Sequence, residues 1–512
     1  MTEAASTNKR IAKNTIFLYF RMMFIILVSL YTSRVVLSTL GIEDYGIYNV
    51  VGGFVSMFGF LNTAMSAAIQ RYITFSLGKG DKEELNKVFS NCILTNLLIC
   101  AIVFLLAETI GLWFLFHKMV IPDDRINTAF WVFQCSLFST IVLIMSVPYN
   151  ADIIAHEKMS AFAFISIIEV SLKLLIVFLL WYVSIDKLLL YAILLMLVQT
   201  VIQLIYRTYC RRHFEESKLR FTWDRNLFNE ILSFAGWNLW GGISNMLYTH
   251  GLNLLLNLFF GPVVNAARGI AVQVQNAVTQ FSHSFQMAIN PQITKTYAQG
   301  QLSEMHKLVF RSSKFTFFLL LVLSLPIFVE TDFILTLWLK NVPDWTVPFL
   351  RLMLCIIIVD AVANPFMVSV AATGRVKLYQ SVIGGTMMLI VPVSYFVLKL
   401  GGNPTAVFFI HLAFTLITFV IRLFIVRPML RFRISDYLNV CIKRILLVLL
   451  PSLVTIFAVK CLIPEGNMYS LITIIASVCI AVLYSYVLGM SNNERKVINQ
   501  RITNYIGRIS NN

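Results

Sequence analysis

Charge is scarce in this chain, and acid scarcer than base. Only 13% of its 512 residues are charged, and 41 lysines and arginines stand against 25 aspartates and glutamates. Soluble domains carry about 25% charged residues, so a water-exposed globule is excluded. The eight cysteines (92, 100, 135, 210, 355, 441, 461 and 479) form no CxxC pair and no metal-ligand spacing; most lie inside apolar runs, as small hydrophobes do. His250, His283 and His411 are scattered without ligand spacing, so no metal site and no cofactor are expected. Gly78-Lys79-Gly80 lacks the strand, spacing and Ser/Thr of a phosphate loop. The acidic pairs Glu43-Asp44 and Asp123-Asp124 sit in short loops, and no large loop exists to hold an acceptor, which argues against an enzyme.

What the chain has in abundance is apolar length. Hydrophobic residues make up 58%, and the mean hydropathy is +0.77. Runs long enough to cross about 30 Å of hydrocarbon recur along the whole sequence. About fourteen are counted, near 14–40, 46–75, 90–116, 128–150, 161–183, 187–206, 230–260, 265–290, 309–329, 346–372, 378–398, 404–426, 444–462 and 469–490. In lipid an open strand edge would strand its backbone polar groups, so these are read as helices. The first run continues past Ser29 to Leu40 with no small-residue cleavage pattern, and is expected to be retained.

The net charge of +16 is not spread evenly. With the N-terminus placed in the cytoplasm, 28 of the lysines and arginines fall on that side, six on the other, and seven within the spans. The positive-inside rule therefore puts both termini in the cytoplasm, and the basic excess faces anionic lipid rather than nucleic acid.

The chain also repeats. Shifted by 220 residues, Ala68, Ile69, Ile73, Thr74, Gly80, Glu84 and Lys87 meet Ala288, Ile289, Ile293, Thr294, Gly300, Glu304 and Lys307, and Gly41 meets Gly261. Six helices per copy is an even number, so the copies are parallel repeats. The expected architecture is all-α and polytopic. An N-lobe covers 1–206, a cytoplasmic linker 207–229, a C-lobe 230–426, two further helices 427–490, and a basic amphipathic tail 491–512.

Some helices are too polar to face lipid. Helix 8 carries Asn276, Gln280, His283 and Asn290 on one face at three- and four-residue steps, and helix 2 carries Asn62, Ser66 and Gln70. Helix 7 adds Asn245 and is expected to bend near Gly241-Gly242. Packing of polar helices against each other is the alternative to a water-lined cavity. Charged residues within the spans include Arg21, Arg34, Arg71, Lys173 and Arg268, against the acids Glu108, Glu169 and Asp360. Glu169 lies one turn from Lys173 and could neutralise it, and the cations near helix ends could snorkel. The positive excess nonetheless predicts a cavity that accepts an anion.

The segment Ser33 to Tyr48, with Arg34, Gly41, Tyr45 and Gly46, resembles the opening signature of bacterial polysaccharide exporters. These are the O-antigen and capsule flippases of the multidrug/oligosaccharidyl-lipid/polysaccharide (MOP) superfamily. Phe260-Gly261 through Arg268 resembles the corresponding turn in the second copy, and the stretches Pro148–Lys158 and Pro365–Arg375 resemble the exits of helices 4 and 10. The resemblance implies two lobes with helices 1, 2, 7 and 8 lining a central cationic cavity. It implies that undecaprenyl-diphosphate-linked oligosaccharides are moved across the bacterial inner membrane by alternating access. Arg268 falls where related flippases carry an arginine; Arg21 and Arg34 match less closely. Membrane lipids, a polysaccharide polymerase and a chain-length regulator are the implied partners. The rival within the superfamily is an ion-coupled drug or cation antiporter, in which Asp360 or Glu169 would carry the coupling ion. Replacing Arg268 or Lys173 by alanine is expected to impair flipping.

Overall fold

The computed structural model describes residues 3–56, 59–117, 119, 121–182, 186–218, 222–339, 342–462, 464, 466–496 and 499. These residues are almost wholly helical, and no strand occurs among them. In chain order the helices are α1 Glu3–Ser56, α2 Gly59–Lys79, α3 Lys82–His117, α4 Asp123–Ala155, α5 Met159–Tyr182, α6 Lys187–His213, α7 Arg225–Phe260 and α8 Pro262–Ala298. Then follow α9 Leu302–Val329, the short α10 Thr331–Leu339, α11 Thr346–Thr373, α12 Val376–Lys399, α13 Ala406–Leu430, α14 Ile434–Leu462 and α15 Asn467–Gly489.

Ten of these, α3 to α6, α9 and α11 to α15, are long and apolar enough to span a bilayer. Their outward surface is greasy, with Leu105, Phe164, Phe424 and Val454 more than half exposed, as suits lipid contact. Helices α7 and α8, at 36 and 37 residues, have the length but not the apolarity, because their faces carry the amides seen in the sequence.

The duplication is written in the backbone. Gly41 breaks α1 with a φ of 80°, and its 220-residue counterpart Gly261, between α7 and α8, has a φ of 78°. Gly80 and Gly300 repeat the pattern at 77° and 72°, closing α2 and α8. These left-handed conformations are strained for any residue with a Cβ, so glycine stands at the same two helix ends in each copy. Asp81 then caps α3, its carboxylate accepting from the amides of Glu83 and Glu84.

The chain divides into two compact units. Unit 1 comprises residues 1–243, 287–301 and 371–380; unit 2 comprises 244–286, 302–370 and 381–512. The buried core of unit 2 is built on Leu256, Ala271, Leu320, Phe349, Leu354 and Phe408. In unit 1, Phe89, Phe133, Ile144, Ile153 and Val177 are fully buried.

Helix α7 runs unbroken through Gly241-Gly242, so the expected bend at that pair has no break in helical structure behind it. Gly241 instead admits a close neighbour: a Cβ there would lie 2.2 Å from Gln380 Oε1, whose amide nitrogen donates to Asn238. Helix α6 continues past residue 206 to His213, so that Arg211 and Arg212 sit at its C-terminus, where the helix dipole favours cations. Of the amphipathic tail, residues 497–498 and 500–512 lie outside the described residues. Glu494, just before them, is clasped to α9: Lys314 Nζ donates to it at 2.7 Å, Arg311 Nε lies at 3.3 Å, and the Ser491 amide donates at 2.8 Å. Burial pushes the Glu494 carboxyl up, but these donors outweigh it and hold the group below its ordinary range.

Candidate functional site

The turn at Gly261 sets up the central feature of unit 2. It joins α7 to α8, and Asn253 precedes it by eight residues while Arg268 follows it by seven. Near-equal distances from a helical turn bring the two side chains together. Arg268 is only 4% exposed; its Nη1 donates to Asn253 Oδ1 and its Nη2 to the Thr249 carbonyl at 3.1 Å. Both partners are neutral, and Nε donates to no described residue. A guanidinium kept in place without a counter-charge retains its attraction for an anion.

Around this pair unit 2 gathers further polar groups. Tyr248 meets His411 edge-on with ring centroids 5.3 Å apart. Asp360 on α11 accepts from Arg422 on α13 at 2.9 Å, and its charge reaches Tyr248, His283 and His411. The proposed ion-coupling acid is therefore already paired with a cation.

Helix α8 shows the expected polar face plainly. Gly269, Gln273, Asn276, Gln280 and His283 are exposed, whereas Ala267, Ala271, Val278 and Ser282 between them are buried. On a membrane helix, an accessible stripe of amides and imidazole needs water or a polar ligand beside it. Asn245 on α7 is exposed and accepts from the Thr249 hydroxyl at 3.4 Å.

Unit 1 distributes its predicted residues differently. Lys173 donates to Glu169 at 2.6 Å, one turn along α5. Arg21 lies over the Phe162 ring at 4.5 Å and within electrostatic reach of Glu169 and Tyr206. Asn62, Ser66 and Gln70 on α2 and Asn290 on α8 are half-buried. The side chain of Arg34 lies outside the described residues.

Arg71 binds the end of another helix. Its Nε and Nη2 donate to the carbonyls of Ala371 and Ala372 at 3.2 and 3.3 Å, and its guanidinium lies over the rings of Tyr72 and Phe75. The end of a helix leaves carbonyls without intrahelical donors, and Arg71 fills that need for α11. Its donors serve packing at the end of α11. The turn residue Gly374 makes room for it, since a Cβ there would lie 2.7 Å from Arg71 Nη2.

Asn253 and Thr249 were not among the sequence-chosen site residues. Counting outward from Gly261 would have found Asn253; Thr249 contributes only its backbone, which no side-chain pattern reveals.

Residues 11–297 match the family model of the polysaccharide biosynthesis protein family. No protein of curated function matches the sequence. Among solved structures, an outward-facing multidrug-resistance MATE transporter of the MOP superfamily aligns with a TM-score of 0.70 and 13% identity, covering 83% of this chain and 96% of the other. A MOP superfamily transporter from Pyrococcus furiosus, noted for the reverse polarity of its binding pocket, aligns with the same figures. A MATE transporter in its bent conformation gives 0.72 at 13% identity, over 84% and 98%. At such low identity the structural likeness establishes the fold, and the family model covers more than half of the chain. The chain belongs to the polysaccharide biosynthesis protein family, and its fold is that of the MOP superfamily membrane transporters.

Proposed function

We propose that this protein flips diphosphate-linked oligosaccharides on an undecaprenyl carrier across the bacterial inner membrane, for surface polysaccharide assembly. The observation that carries the reading is Arg268, buried at the end of the exposed polar face of α8 and held by neutral groups alone. A phosphate oxygen is a stronger acceptor than the Asn253 amide oxygen and would replace it on the guanidinium. Amides at Gln273, Asn276 and Gln280 suit sugar hydroxyls, which both donate and accept. The isoprenoid tail remains in lipid while the head group crosses. Both termini lie on the cytoplasmic side in this reading, following the basic residues.

The antiporter reading needs a carboxylate free to take a cation. Glu169 is bound to Lys173 and Asp360 to Arg422, so each would first have to release its own partner. Deleting the gene separates the two. The flippase reading expects loss of surface polysaccharide with unchanged tolerance to cationic dyes; dye hypersensitivity with normal polysaccharide would establish the antiporter instead.

A further inference from the structure

The end of α4 and the turn leaving α6 bring together three groups outside the proposed anion site. Asp152 lies in the last turn of α4, His156 follows one turn on, and Glu216 sits beyond His213; all belong to unit 1. Asp152 is completely buried, and the Glu216 side chain is 7% exposed. One ligand atom from each of the three lies within 4.8 Å of the other two. The imidazole is held flat against Phe214, with ring centroids 4.0 Å apart and planes 17° apart.

The hydrogen-bond accounting of this cluster is unusual. His156 Nδ1 lies 3.1 Å from the backbone carbonyl of Asp152 and 3.3 Å from its Oδ1, both of which accept, so Nδ1 is assigned the proton. The lone pair of Nε2 then faces Glu216 Oε1 at 3.2 Å. Apart from these contacts with the imidazole, neither carboxylate oxygen of Asp152, nor Oε1 of Glu216, accepts a hydrogen bond from any described residue. Two buried carboxylates thus meet a partly exposed imidazole that has a single proton between them. Buried carboxylates are tolerated when a cation compensates them.

The separations suit a metal ion. Tetrahedral bonds of about 2.0–2.1 Å to nitrogen and oxygen give ligand-to-ligand edges of roughly 3.3 Å. The Nε2 to Oε1 distance is 3.2 Å. A proton on Nδ1 bound to a backbone carbonyl is also the arrangement that orients a ligating Nε2. One imidazole with two carboxylates favours a first-row divalent cation.

We propose that Asp152, His156 and Glu216 bind a divalent transition-metal cation, Zn²⁺ being the test ion, which fastens the turn after α6 to the end of α4. A fourth position is left to water. Ligand spacing could not reveal the site, because one ligand lies sixty residues from the others and His156 is outside the trio of histidines weighed in the sequence. The proposal stands independently of the flippase reading.

The test uses the full-length protein in detergent, stripped with a chelator, then titrated with Co²⁺ as the spectroscopic probe and with Zn²⁺ as competitor. About one equivalent of Co²⁺ should bind with the absorption of a tetrahedral site, be displaced by Zn²⁺, and be lost in His156→Ala. Glu216→Gln should weaken binding at least about tenfold, and it carries the variant test should His156→Ala fail to fold. Absence of saturable Co²⁺ absorption in the wild type overturns the proposal. So does metal binding unchanged in both variants, or a charged His156 imidazole bridging the carboxylates in protein that takes up no metal.

Discussion

Each unit pairs an acid within its spans with a cation, yet the units use their charges differently. In unit 1 Glu169 is shared: Lys173 binds it directly and Arg21 lies within its field. In unit 2 Asp360 is taken by Arg422, and Arg268 is left with an amide and a carbonyl. The sets are not repeats of each other, since no 220-residue shift superposes them. The duplicated scaffold supplies turns and helices at matching places, whereas charge was installed separately in each copy. Arg268 is a buried cation with neutral partners that adjoins the exposed polar face of α8, and that combination locates the proposed anion site in unit 2.

The largest effect is therefore expected from Arg268→Ala. Hydrogen bonds to charged groups contribute about 1.5–3 kcal/mol each, so export of lipid-linked glycan should fall roughly tenfold to hundredfold, measured as surface polysaccharide in a complemented deletion strain. Membrane insertion should be unchanged. Near-normal polysaccharide would erase the distinction between the units.

Next comes Glu494→Gln, which tests whether the other buried cation of unit 2, Lys314, is fully occupied by its clasp. Loss of the charge should lower stability by about 2 kcal/mol in thermal unfolding. Because the Glu494 carboxyl is held below the ordinary glutamate value near ~4.3, its contribution is complete above that pH and disappears as pH falls further. Wild type and variant should converge in strong acid; a difference that grows on acidification would contradict the clasp.

Gly374→Ala probes the packing role of Arg71 in unit 1. The new Cβ meets the guanidinium, and the backbone φ of 78° is unfavourable for alanine. A loss of about 1–2 kcal/mol in stability is expected, and an unaffected melting temperature would contradict that packing role. The smallest effect should come from Lys173→Ala. A one-turn ion pair contributes about 0.2–0.5 kcal/mol, so export should fall less than about threefold. A loss as deep as that of Arg268→Ala would make the two units equivalent.

Much of the fold was legible in the sequence because its signals are local. Apolar runs marked the spanning helices, and the 220-residue echo marked glycines whose left-handed turns the backbone then shows at 41, 80, 261 and 300. The polar face of α8 was equally readable, since helical spacing fixes which residues share a side. Charge partners were harder. Glu169 and Lys173 could be paired by counting one turn, but Arg71 reaches carbonyls 300 residues away, and Asp360 finds Arg422 across 62. Those distances are set by packing, which no periodicity encodes. The approach of Gln380 to Gly241 illustrates the same limit, since no helical spacing brings residue 380 there.

The most direct measurement of the central claim is flipping in proteoliposomes. Purified protein is reconstituted with a fluorescent undecaprenyl-diphosphate oligosaccharide, and its appearance in the opposite leaflet is followed for wild type and Arg268→Ala. The account predicts protein-dependent flipping that is competed by an unlabelled diphosphate-linked glycan and nearly abolished by the substitution. Flipping at the same rate in the variant, or none in the wild type while a cationic dye is transported, would contradict it.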